Sequence, residues 1–263
     1  MLKKLLKYEL YAIGKFLTVF YLITLALALL TRLFFAVNNS TFLYIVAQIF
    51  SGALISMMIN TLVNTLMRSW VRFRQNFYGD ESYLTHTLPV TKHTLYLAKT
   101  LAALISMFVC VVFIAACIFI AYYTPENMQT LKSMLFSVQS AMNVPIGGII
   151  VLVVVVFGLE CLNLVLAGFF GMVLGHRKQN KKIGFSVLIG GIVYVGAQVV
   201  LLLAVLLVGA FDGSVMQLLA SNQAPTTAAL TVLLVVATVV YTLTMIALYI
   251  IGDKSFQKGV NVD

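Results

Sequence analysis

Six long apolar stretches, separated by shorter polar ones, make up most of this chain of 263 residues. They fall at about 16–37, 42–67, 95–123, 144–174, 183–210 and 227–251. Roughly 20 apolar residues in helical form cross about 30 Å of hydrocarbon, and every stretch is long enough. The second is free of charge from Thr41 to Met67 and the fifth from Ile183 to Phe211. No charge occurs between Gly213 and Gly252, and the polar run "SNQAPTT" around Pro225 marks where a loop gives way to the sixth stretch. The runs are continuous rather than alternating, which excludes the strands of a membrane β-barrel. In lipid the remaining way to satisfy every backbone group within one segment is an α-helix. The pattern predicts an all-α integral membrane protein of six transmembrane helices forming one transmembrane domain.

Other segments carry a helical period instead of an unbroken apolar run. Residues 1–15 place Leu2, Leu5, Leu6, Leu10 and Ile13 near one face with lysines at the edges. This predicts an amphipathic interfacial helix lying in the membrane plane and leading into spans one and two, over 16–67. The stretch "TPENMQTLKSMLFSVQS" opens with a helix start: Thr124 as N-cap, Pro125 in the first turn and Glu126 at the positive dipole end. Met128, Leu131, Leu135 and Val138 then recur at helical spacing, so about 124–142 is expected to be an amphipathic segment on the outer surface. It lies within 95–252, which holds spans three to six, and 253–263 forms a tail.

The most polar long passage is "RFRQNFYGDESYLTHTLPVTKHTLYLAK", Arg72 to Lys99, which falls mostly in the loop 68–94. Gly79 or Asp80 can cap a short helix there, with Asp80 and Glu81 at its positive end and Tyr83, Leu84 and Leu88 near one face. Pro89 stops it, and Thr91 is placed to cap a third span starting near Lys92. So short a helix is not stable alone in water. It must rest on lipid headgroups or on a partner protein.

Composition agrees with a membrane environment: 62% of residues are hydrophobic and 10% charged, against about 25% charged in soluble domains. The net charge of +9 implies no nucleic-acid partner here, because its distribution matters more than its total. With the N-terminus inside, the cytoplasmic segments hold Lys3, Lys4, Lys7, Lys15, Arg68, Arg72, Arg74, Lys92, Lys99, Arg177, Lys178, Lys181, Lys182, Lys254 and Lys258. Only Arg32 and Lys132 fall outside, so both termini are expected in the cytoplasm. Lys3, Lys4, Lys7, Arg72, Arg74, Arg177, Lys178, Lys181 and Lys182 are the candidate membrane-surface cations. The basic start "MLKKLLKYEL" precedes an apolar segment too long for a signal peptide and is expected to be retained. Cys110, Cys117 and Cys161 lie in apolar runs without metal-ligand spacing and read as small hydrophobes.

Few residues carry candidate chemistry. Glu160 sits near the middle of the fourth span, where a charge costs about 3 kcal/mol on insertion scales. Asn163 shares its face. The pair is either a substrate or proton contact in a cavity or an interhelical hydrogen bond. Ser56, Asn60 and Asn64 form a stripe on the second span that either lines a route or bonds helices together, the second being preferred; Tyr194 and Gln198 pose the same choice. Gly171 and Gly175 are spaced for close helix approach. His86, His93 and His176 form no catalytic pattern, and neither HExxH, GxSxG nor paired carboxylates occur. Asn39-Ser40-Thr41 matches a glycosylation acceptor, a pattern common by chance. No catalytic or metal site is expected.

The segment "GDESYLTHTLPVTKHTLYLAKTLAAL" resembles the one after the second span in permease subunits of type-2 ATP-binding-cassette (ABC) exporters, which carry an L-P-V-S/T…L…K pattern. The six-span layout, the amphipathic start and the basic end "YIIGDKSFQKGVNV" resemble that family too. The resemblance implies a bacterial cytoplasmic membrane and a coupling helix from Tyr78 to Thr87, followed by Pro89, that docks on a cytoplasmic ATPase. Asp80, Glu81, Tyr83 and His86 would be the foremost contacts, with Leu84 beside them; Arg72 and Arg74 would meet acidic ATPase residues or anionic lipid. It also implies two ATPase copies and a second permease, identical or homologous. No GxxxxGK[ST] loop occurs in this chain, so it is not itself expected to be an enzyme or to hold a cofactor. ATP and Mg are then expected in the partner. The expected function is export of an amphipathic molecule such as a peptide antibiotic, drug or lipid-like compound. The alternatives are a proton-coupled secondary transporter using Glu160 and a non-transporting membrane scaffold or sensor.

Overall fold

A computed structural model describes residues 2–37, 40–79, 81–87, 89–142, 146–177, 181–213, 215–216 and 227–258. Its elements are α1 (Leu2–Ala36), α2 (Thr41–Tyr78), α3 (Ser82–Thr87), α4 (Lys92–Tyr122), α5 (Pro125–Met142), α6 (Ile146–Gly175), α7 (Lys182–Phe211) and α8 (Thr227–Gln257). Among the described residues, six helices are long and apolar enough to cross a membrane: α1, α2, α4, α6, α7 and α8. Many of their large apolar side chains face outward, including Val187, Ile192, Leu203 and Leu207 of α7. Water would penalise that surface, whereas lipid accepts it. The protein is a multi-pass, all-helical membrane protein.

The chain divides into two compact units: residues 1–75 with 88–128, and 76–87 with 129–263. In the first, the N-terminal segment is not a separate in-plane helix. Leu2–Ala36 is one continuous helix of 35 residues; no proline interrupts it, and it runs through Gly14. Its apolar stripe is covered by protein: Ile13 and Leu17 bury against Ala102 of α4, with Leu6, Leu10 and Tyr21 packed around them. A second cluster joins Ala28 of α1, Leu54 and Met58 of α2, and Cys117 and Ala121 of α4. Small hydroxyls let these helices approach. Thr24 and Thr61 meet at 3.0 Å, and Ser51 and Tyr122 at 2.6 Å. Arg32 donates to the carbonyls of Ile120 and Tyr123, placing a cation at the negative end of α4.

α2 continues eleven residues beyond the expected end of the second span, through Tyr78. Arg68, Arg72 and Arg74 therefore lie on a helix rather than in a loop. Arg68 sits 5.0 Å from the centre of the Phe16 ring. Arg72 meets Glu9 of α1 through two hydrogen bonds of 3.2 Å, and Lys99 of α4 pairs with the same carboxylate. This three-helix ion cluster was not foreseen. It removes Arg72 from the set of surface cations, because its side chain is 17% exposed and turned to a protein partner.

In the second unit, α6 and α7 pack backbone to backbone. A Cβ on Gly171 would lie 2.5 Å from Gly190 N and Ser186 O. A Cβ on Gly175 would collide with Ser186. The small-residue spacing on α6 thus has its complement in Ser186 and Gly190 of α7. Lys181 opens α7 in the left-handed region, with φ 53°. α5 begins in the first unit, where Asn127 N donates to Thr124 Oγ1 at 3.1 Å. Met128, Leu131 and Leu135 are half-buried, while Glu126 and Lys132 are exposed; the side chain of Val138 lies outside the described residues. Cys110, Cys117 and Cys161 are buried.

Candidate functional site

Two places in the second unit gather the residues the sequence singled out. The first is the segment 76–87. α2 ends at Tyr78, where Gly79 starts a turn whose carbonyl accepts from Ser82 N at 2.9 Å. α3 then runs six residues, about 9 Å of helix. Asn76 Nδ2 donates to Glu81 Oε2 at 2.6 Å, bracing the turn. Thr91 caps α4 by accepting from Thr94 N.

The root of this segment is locked in place. Phe77 packs on Phe256 of α8 with ring centroids 4.6 Å apart. Tyr78 stacks on His176 at the end of α6, 4.0 Å between centroids and 22° between planes. His176 Nδ1 lies 2.9 Å from the Met172 carbonyl and 3.2 Å from Ser186 Oγ. Arg177 donates to Ser255 O, tying α6 to α8. The tip of the segment is open. Ser82 and Thr85 face inward, whereas Tyr83 is 68% and Leu84 75% exposed.

Of the expected docking contacts, Glu81, Tyr83, Leu84, Thr87 and Pro89 are exposed. Tyr78 is not: at 2% exposure it is an anchor rather than a contact. Its aromatic ring, read from sequence as surface, has a stacking partner 98 positions away in the chain that local pattern does not reveal. Asp80, Leu88 and the side chain of His86 lie outside the described residues. Among the candidate surface cations, Lys3, Lys4, Lys7, Arg74, Arg177 and Lys181 are exposed and Lys182 is half-buried; Lys178 lies outside the described residues.

The second place is a polar junction of α6, α7 and α8. Asn163, 1% exposed, donates to the Tyr241 carbonyl at 2.8 Å and accepts from Thr244 Oγ1 at 2.7 Å. Tyr194 donates to Glu160 Oε1 at 3.2 Å, and Tyr241 to Gln198 Oε1 at 3.3 Å. All four residues named on these spans from sequence meet here. Tyr241 and Thr244 complete the junction and were missed, although they stand three residues apart, the spacing that puts Glu160 and Asn163 on one face.

The stripe on α2 behaves otherwise. Ser56 and Asn60 are exposed and Asn64 half-buried. Asn64 donates to the carbonyl and side chain of Asn60 at 2.8 and 2.7 Å, and Ser56 to Gly52 O at 2.9 Å. Among the described residues these three form no hydrogen bond to another helix of the chain. Short side chains one turn apart satisfy one another first. Compared with protein-family models, curated proteins and solved structures, the chain matches none.

Proposed function

We propose that this chain is the membrane-spanning permease subunit of an ABC-type exporter of a bacterial cytoplasmic membrane, with both termini in the cytoplasm. It moves an amphipathic substrate using ATP hydrolysed, with Mg, by a separate subunit. Two such subunits and a second permease chain, identical or homologous, complete the assembly. The observation that carries this reading is the exposed Tyr83–Leu84 pair on a short helix whose root is fixed to α6 and α8. Burying an aromatic and an aliphatic side chain of this size is worth about 1.5–3 kcal/mol each. The pair therefore supplies affinity when a partner groove covers it.

Transmission follows from the anchoring. Force applied to α3 passes through Phe77 to Phe256 and through Tyr78 to His176, because packed rings do not yield independently of their helices. α6 carries the movement to α7 at the Gly171–Gly190 contact. The placement of fifteen of the seventeen basic residues on one side supports the orientation.

The test is affinity purification of the tagged chain from its native membranes. A subunit containing a nucleotide-binding P-loop, with ATPase activity in the complex, is expected to accompany it. The double substitution Tyr83→Ala, Leu84→Ala should release that subunit while the six-helix chain keeps its unfolding midpoint. Absence of such a subunit, or its retention by the double variant, would contradict the proposal. Glu160, half-buried in mid-span, motivates a second reading as a proton-coupled secondary transporter. Transport that follows the proton gradient and ignores ATP would select it.

A further inference from the structure

We propose that Glu160 is the anionic end of a binding site, in the α6–α7–α8 junction, for the charged group of a lipid-soluble organic cation. This names the charge of the substrate in the exporter reading, and it rests on that reading only for the transport step after binding. Glu160 is the fifteenth of the 30 residues of α6, hence at its midpoint. Among the described residues its hydrogen-bond partner is Tyr194, at 3.2 Å. A hydroxyl that fully engages a carboxylate comes to about 2.5–2.7 Å. No Lys, Arg or His among the described residues pairs with it. An uncompensated carboxylate at that depth is costly, and a cation from outside the chain offsets the cost.

The junction does not need Glu160 to hold together. Asn163 bridges to α8 through both its amide nitrogen and its oxygen, and Gly171 and Gly175 seat α6 on α7. The carboxylate is thus spare as a structural element. It remains partly exposed, so a guest can reach it. Tyr194 and Tyr241 bring aromatic surface to the same cluster, which favours a positive charge.

The guest is organic rather than a metal ion. Calcium takes six to eight oxygen ligands and magnesium six in near-octahedral array. One carboxylate with a tyrosine and an amide falls short of both. An anion would be repelled, and a neutral molecule would leave the charge unmet.

The probe is tetraphenylphosphonium, with tetraphenylborate as an anion of the same shape. Equilibrium binding is measured on the full chain purified in detergent. The wild-type chain should prefer the cation, and Glu160→Gln should weaken cation binding at least tenfold without weakening that of the anion. Glu160→Asp, which keeps the charge, should retain cation binding within threefold. The proposal is overturned if the wild-type chain binds both ions alike or if Glu160→Gln binds the cation as tightly as the wild type. Should Glu160→Gln not assemble, the wild-type comparison of the two ions still decides. None of these results depends on an ATPase subunit, so failure here and failure of the exporter reading are separate observations.

Discussion

Glu9 and Glu160 are both carboxylates on long apolar helices, yet their surroundings are opposite. Glu9 receives a two-pronged bond from Arg72 and an ion pair from Lys99, so α1, α2 and α4 close on it. Glu160 receives one long hydrogen bond from Tyr194. Around Glu9 the first unit joins helices through an ion cluster, whereas the α6–α7–α8 junction of the second uses backbone contact and neutral hydrogen bonds and leaves Glu160 spare. The comparison teaches that a carboxylate on a membrane helix is not by itself a functional acid. What matters is whether the fold has already supplied the counter-charge.

The largest expected effect tests the closed side of this comparison. Glu9→Gln leaves two largely buried cations without their anion and should destabilise the protein by about 3–5 kcal/mol, read from the midpoint of unfolding in mixed detergent–SDS titrations. Glu160→Gln should shift the same midpoint by less than about 1 kcal/mol. Equal losses from the two substitutions would break the comparison.

Next in size is the backbone contact of the second unit. Gly171→Ala forces α6 from α7 and should cost about 1–3 kcal/mol in the same titration. Gly14→Ala on α1 meets nothing within 4 Å and should stabilise by about 0.5–1 kcal/mol, since glycine is unfavourable inside a helix. Smaller again, Asn163→Leu removes the bonds to Tyr241 and Thr244 and should cost about 0.6–1.7 kcal/mol, the range of hydrogen bonds between membrane helices. Tyr194→Phe removes a single long bond to Glu160 and should cost no more than about 0.6 kcal/mol.

Much of the architecture was legible because lipid makes hydrophobic length a reliable sign of a helix. Continuous apolar runs gave the six candidate spans, Thr91 announced the start of α4, and the glycine pair on α6 announced a close contact. The sequence also singled out Glu160, Asn163, Tyr194 and Gln198, which share one junction. What escaped it was long-range. Glu9 carried no signal in the sequence, since its partners lie 63 and 90 positions away at Arg72 and Lys99. The stripe Leu6, Leu10, Ile13 looked lipid-facing because an amphipathic face does not say whether lipid or α4 will cover it. Tyr78 looked exposed for the same reason. The extension of α2 to Tyr78 was hidden by polar residues, which read as loop in a membrane chain although helix geometry tolerates them.

The central claim is that the tip of α3 is covered by a nucleotide-hydrolysing partner. Photo-crosslinking in intact membranes tests it most directly, with benzoylphenylalanine incorporated in place of Leu84. The account predicts one dominant protein adduct, to a subunit bearing a P-loop, lost when Phe77→Ala loosens the root of the segment. Adducts formed only with lipid, or none at all, would contradict it.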